Sequence, residues 1–397
     1  MPVYSDEDLN SAVTAGALSA EAAANFRAHM SRMRHLPHAS EEDFRLLNSF
    51  NDIFVSIGIV ILLVALGAIG QALAGVIAPV PPYPGFEMIP GRLSLAEMRA
   101  WQDARDLNQA LQASLAGLLV AAAAWPLAGF FTATRRMALP SILLLLAFVV
   151  GVFATGIGYV IYVSQSGADD ITVSVFVAGA ALLAAGAAWL HWRRFMVPIT
   201  VAAGSAAIAG TVVALAVAAI GPNTIEEEGV LALVLVAGLA VFAFAMRWDM
   251  SDRARTTRRS DVAFWLHLTA APMIAHPIFA LLGVTEGDNP GVGAAVGVLG
   301  VYIAFGLVAL ATDRRALLVS ALVYVLFALT FLFREFGAVE LNFALTALII
   351  GSALLSLSAF WQPIRRAVVT LLPEGIQAML PATDTSDFAS TNGAIPA

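Results

Sequence analysis

The chain has 397 residues, of which 59% are hydrophobic and 12% charged, and its formal net charge is −7. Soluble globular domains carry about 25% charged residues, so a soluble fold of this composition would lack the polar surface to cover itself. Cysteine is absent and all 21 basic residues are arginine. This excludes disulfides, thiolate metal sites, cysteine nucleophiles, Schiff-base lysine chemistry and a phosphate-loop lysine, and the acidic balance gives no sign of nucleic-acid binding.

Residues 1–48 read as a cytoplasmic helical hairpin. Ser5 with Asp8 fits a capping-box start, Gly16 breaks the first helix, Ser19 caps a second running from Ala20 to Arg34, and Pro37 stops it. Leu9, Val13, Leu18, Phe26 and Met30 form a small apolar face. Alone it is too short for a stable core, so it is expected to pack on the membrane surface, the bundle or a cytoplasmic protein partner. The first apolar run starts near Phe50 and is too long for a cleaved signal peptide, so it reads as a retained anchor.

A bilayer core about 30 Å thick needs about 20 predominantly apolar residues per helix. Spans are predicted near 50–77, 110–133, 139–163, 171–191, 196–220, 229–247, 261–283, 291–311, 316–336 and 338–361. The fold class is therefore all-α: a polytopic bundle of ten transmembrane helices over 49–361, with an outer loop at 78–109. Residues 362–397 are expected to form a largely disordered cytoplasmic tail. With the N-terminus inside, Arg135-Arg136, Arg193-Arg194, Arg247 to Arg259, Arg314-Arg315 and Arg365-Arg366 all fall in inner connections. Only Arg92, Arg99, Arg105 and Arg334 fall outside. This asymmetry follows the positive-inside rule and places both termini in the cytoplasm of a bacterial inner membrane.

The outer loop opens with Pro79, Pro81, Pro82 and Pro84, an extended stretch. Ser94 and Glu97 then form a capping box, with Leu93 and Met98 at staple spacing, so a short helix should begin there, with Trp101 at the interface. The outer ends of the spans carry Asp169-Asp170, Glu226-Glu227-Glu228, Glu286, Asp288, Glu335 and Glu340. They read as a solvated rim or as a field that concentrates cations at a pore mouth.

The opening pattern Leu9 through Gly16-Ala17-Leu18-Ser19-Ala20-Glu21-Ala22, followed by Phe50-Asn51-Asp52-Ile53-Phe54 running into a glycine-bearing first span, resembles bacterial predicted membrane proteins of unknown function. In these an N-terminal helical domain precedes a polytopic bundle. The resemblance covers roughly the first 75 residues. It implies an architecture and no activity.

The seventh span carries His267 and His276 with Thr269, Pro272 and Pro277. Ionisable residues within a bilayer are costly and mark functional positions. At about 100° per residue the two histidines lie on opposite faces, so they cannot chelate one metal. His276 is expected to face inward as a proton-relay or ligand group, and the alternative is two neutral histidines bonded between helices. Pro272 and Pro277 leave the carbonyls of Leu268 and Met273 without helical donors, as sites for water or a cation. Asn342, Thr346 and Ser356 form a polar stripe on the tenth span, with Glu335 and Glu340 at its outer end. The stripe lines an entry path or bonds neighbouring helices. The prolines at 126 and 277 occupy matching places in two halves of five spans, a pattern of inverted-repeat transporters.

No cofactor or metal site and no catalytic constellation is expected. The leading reading is a transporter or permease-like protein, proton-linked through His276, with a small-molecule or lipid ligand. The alternatives are a non-transporting subunit or regulator that recruits a partner through residues 1–48, and a membrane enzyme acting on lipid-linked substrates through Glu87, Glu97, Asp103 and Asp106.

Overall fold

The structure, a computed structural model, describes residues 11–16, 18–23, 25–26, 50–83, 95–253, 255, 257–283, 291–335 and 342–381. The chain forms two units, Leu46–Pro381 and a smaller one of Met1–Arg45 with Ala382–Ala397. In the smaller unit Gly16 has a φ of 71° and Ser19 Oγ accepts from the Ala22 N–H at 3.1 Å. The Ser5–Asp8 pair, Pro37 and most of the expected hairpin lie outside the described residues.

In the larger unit all regular structure among the described residues is helical. The helices are α1 (Phe50–Ile77), α2 (Leu95–Ala128), α3 (Ala138–Gln165), α4 (Asp170–Phe195), α5 (Ile199–Ile220) and α6 (Glu227–Ser251). There follow α7 (Arg258–Leu281), α8 (Val292–Thr312), α9 (Ala316–Glu335), α10 (Asn342–Ala359), α11 (Trp361–Thr370) and α12 (Glu374–Gln377). Eight of these are long and apolar enough to cross a membrane, or up to ten if each of two bent pairs is one span. The first bent pair lies within α9, at 43°, and the second joins α10 to α11, at 75°. The predicted ten is the upper bound. Helices suit such apolar stretches because each satisfies its own backbone groups where no water is available.

Three expectations are corrected. The short helix predicted near Ser94 is not separate from the second span. α2 begins at Leu95 and runs unbroken through Trp101 into the apolar stretch, so the 78–109 loop is shorter than expected. The extended proline segment packs back on α2: Trp101 Nε1 donates to the Pro81 carbonyl at 3.1 Å, and Asn108 Nδ2 donates to the Ala78 carbonyl at 2.8 Å. Past Pro126 the helix widens into a π-helix over Gly129–Thr134. Secondly, the tail expected to be largely disordered over 362–397 contains α11, whose Trp361, Arg365 and Val369 turn into the core, and the short α12; residues 382–397 lie outside the described residues. Thirdly, the proposed equivalence of α2 with α7 is not repeated in packing. α2 packs chiefly on α1 and α3, whereas α7 packs on α5, α6 and α9.

α7 is the most buried of the long helices. Its buried residues Val262, Leu266, Ala270, Ile274 and Phe279 join residues of α5, α6, α8 and α9 in the largest apolar cluster. α6 approaches it closely at Gly238, where an added Cβ would stand 2.9 Å from the Met273 carbonyl carbon.

Candidate functional site

α6 and α7 form an antiparallel pair in which Gly238 meets Met273 and Phe242 meets His267. Each Cα–Cβ bond tilts toward the N-terminus of its own helix. Asp249, in the last turn of α6, therefore leans back along the bundle, while His267 on α7 leans toward it. His267 Nε2 meets Asp249 Oδ2 at 2.8 Å. Arg314, from the short α8–α9 connection, donates Nη2 to Asp249 Oδ1 at 2.6 Å and Nε to Oδ2 at 3.4 Å. The same Nη2 reaches the Ser260 carbonyl at 3.2 Å. Asp249, His267 and Arg314 are 1%, 3% and 4% exposed.

A second carboxylate extends this group. Asp313 ends α8 in the left-handed conformation, φ 55°, which costs a non-glycine residue about 1–2 kcal/mol. Its side chain offsets that cost: Oδ1 accepts from Trp361 Nε1 at 2.7 Å and Oδ2 from Arg255 Nη1 at 2.8 Å. Arg365 Nε lies 3.7 Å from Oδ1. Arg255 Nη2 also donates to the Thr312 carbonyl at 3.0 Å. Burial lowers the pKa of the Arg255 guanidinium, and nearby Arg314 adds to that, while Asp313 and Asp249 oppose it. Arg365 Nη2 donates to the Pro381 carbonyl at 2.7 Å and Arg253 Nε to that of Leu380 at 2.9 Å. The segment after α10 is thus strapped across the arginine-bearing ends of α6 to α9.

A carboxylate shared by a guanidinium and an imidazole can hold or release one proton at the imidazole. With His267 neutral, the Asp249–Arg314 pair is balanced. With His267 protonated, the buried group carries one excess positive charge. Taking ions out of water costs several kcal/mol each, and only good geometry with full hydrogen bonding offsets it. One proton therefore changes what holds α6, α7 and the α8–α9 connection together.

Of the two histidines, the structure brings His267 into the buried ionic group and leaves His276 apart from it. His276, expected inward, is exposed, and its Nδ1 meets the Tyr324 hydroxyl at 2.8 Å; Tyr324 stacks on Phe279 at 4.4 Å. The reason is rotational. The face of α7 that carries His267 also carries Ala271 and Ile274, which are buried. Thr269 Oγ1 donates to the Trp265 carbonyl of its own helix at 2.9 Å and joins neither histidine. Pro272 is exposed and Pro277 buried. The Met273 carbonyl freed by Pro277 lies beside Gly238 of α6, where an added Cβ would stand 3.0 Å from its oxygen. Asn342 and Glu335 sit at the ends of α10 and α9; their side chains, and all of Glu340, lie outside the described residues. Among the described residues no group of three or more His, Asp or Glu side chains could hold a metal ion.

Sequence reasoning missed Asp249, Asp313, Arg314, Arg365 and Trp361. Arg314 and Arg365 read as loop charges that orient the chain, and both are buried. The one available signal was an acid in the last turn of an apolar helix, Asp249, and another beside two arginines, Asp313-Arg314-Arg315.

Helices of this length and composition, with ionisable groups sealed among them, are compatible with a multi-pass membrane protein. Comparison with protein families, with curated proteins and with solved structures finds no match to this chain.

Proposed function

We propose that this chain is a transporter or permease-like protein of a bacterial inner membrane, with its arginine-bearing end in the cytoplasm, and that Asp249, His267 and Arg314 form its proton-linked element. The observation behind this reading is the burial of all three groups between α6, α7 and the α8–α9 connection. Taking ionisable groups out of water is expensive, and buried, perturbed ionisable groups cluster where a proton or ligand is handled. Histidine is the side chain whose ordinary pKa, about 6.5, allows a charge change near neutrality. Protonation of His267 loosens the hold of Asp249 on Arg314 and frees α7 to move against the α8–α9 connection. The substrate is a small molecule or lipid, and a cytoplasmic protein partner at residues 1–48 belongs to the same proposal. So does membership of the bacterial membrane-protein family that the first 75 residues resemble.

Because the chain has no cysteine, the motion can be read with a single introduced thiol. Ser260→Cys beside Arg314 should react with an impermeant maleimide faster at acidic than at neutral pH. Rates are normalised to the exposed Ser251→Cys to remove the intrinsic thiol response. Adding His267→Asn should abolish the difference. An unchanged pH profile in a folded His267→Asn protein would sink the proton-linked role. Transport itself is read in proteoliposomes with an internal pH dye and external solute mixtures. A solute-dependent proton flux lost in His267→Asn supports the proposal, and no flux with any solute overturns it.

A further inference from the structure

α10 spans 18 residues, about 27 Å of helix, which already matches a hydrocarbon core of about 30 Å. At Phe360 the chain bends by 75° into α11. α11 therefore lies across the direction of α10, after a length of helix that can itself cross the core. Its side chains divide into three stripes. Trp361, Arg365 and Val369 are buried. Gln362, Arg366 and Thr370 are polar, one helical turn apart. Phe360, Ile364, Ala367 and Leu371 are apolar and exposed. At about 100° per residue these four fall within about 60° of one another, to one side of the buried stripe. Phe360 is 59% exposed and Leu371 86%. On α10, Leu348 and Leu355 are exposed as well.

From these observations we infer that α11 is an in-plane interfacial helix, and that the occupant of its apolar stripe is the acyl boundary of the bilayer leaflet at the arginine-bearing end. An amphipathic helix of this kind beds its apolar face about 5–10 Å into the boundary between headgroups and chains. The polar stripe faces the aqueous side. The buried stripe carries Trp361 and Arg365 to Asp313, so the lipid surface and the ionic group grip the same ten-residue helix from adjacent sides. The inference is independent of whether the chain transports anything.

The test uses the full chain in phosphatidylcholine vesicles. Ile364→Cys, Leu371→Cys and Thr370→Cys are made one at a time and labelled with a small fluorophore. Phospholipid brominated at a shallow acyl position should quench the labels at 364 and 371 strongly and that at 370 weakly. Aqueous iodide should give the reverse order. If iodide quenches 364 and 371 as readily as 370, the stripe faces water and the inference fails. If neither quencher reaches 364 and 371, a protein surface or a second copy covers the stripe, and the inference fails in favour of that partner. Fluorescence-detected gel filtration confirms that each variant is intact before quenching is read.

Discussion

α1 to α5 and α6 to α11 are both apolar bundles, but different contacts hold them. In the first region backbones meet directly. A Cβ on Gly70 would stand 2.5 Å from the Ala116 nitrogen, and one on Gly117 would stand 2.5 Å from the Gly151 carbonyl oxygen. The buried face of α4 is mostly alanine, from Ala178 to Ala188. In the second region larger side chains fill the core, with Val262, Leu266 and Phe279 at its centre, and one end is closed by buried charge. Apolar helices in lipid gain nothing by hiding from their surroundings, so close packing or polar bonds must join them. The first region relies on packing. The second adds polar bonds that cost desolvation and give direction, since each carboxylate has one arrangement in which all its donors are met.

Each contact type can be broken separately. The largest effect is expected at Asp249→Ala, which strands Arg314 in a buried site. Loss of one partner of a buried pair costs about 3–5 kcal/mol, read as unfolding free energy in mild detergent. Combining Asp249→Leu with Arg314→Met should recover most of that loss, because replacing both ions by apolar groups is near neutral. If the single and double variants are equally unstable, the region is held by shape instead of charge.

In the first region Gly117→Val should cost about 1–3 kcal/mol by overpacking. The sharper half of that experiment lies in the second region. Gly300 on α8 has no atom within 4 Å of an added Cβ, so Gly300→Ala should stabilise by about 0.5–1 kcal/mol. Equal responses at 117 and 300 would show that the close backbone approach at Gly117 does not limit what fits there. Trp361→Phe keeps an aromatic ring, but removes the bond to Asp313 together with part of the buried indole. It should cost about 1.5 kcal/mol, within the range for hydrogen bonds to charged groups, and should increase protease access to residues 361–381 before the rest of the bundle.

The smallest effect belongs to the acidic end. Asp169 caps α4, accepting from the Thr172 N–H at 2.8 Å. That bond holds its carboxyl below the ordinary carboxylate value. A lowered folded value means that its contribution is full above the ordinary pKa of 3.8 and fades as pH falls through the lowered one. Hydrogen exchange at the first turn of α4 should rise in that acidic window in the native chain. It should stay flat in Asp169→Asn, which keeps a capping side chain without a titrating one.

How much of this was legible follows from where each piece of information resides. The limits of α1 and the existence of the long helices follow from local composition, since a span needs only length, apolarity and its own backbone bonds. Residue type also marked the α7 histidines as unusual. Periodicity placed them on opposite faces, but two faces of one helix look equally plausible until neighbours cover one of them. Here α5, α6, α8 and α9 cover the face of His267, and the tilts of Asp249 and His267 bring them together. The arginines of the connections were legible as orienting charges. That Arg314 and Arg365 also lie buried against Asp249 and Asp313 depends on partners 65 and 52 positions away in the chain, and no local pattern encodes that pairing. Helical content was thus determined by the sequence through short-range physics, whereas the site arose only in the tertiary structure, because charges from four distant segments become a network only after packing excludes the water that would otherwise have paired them.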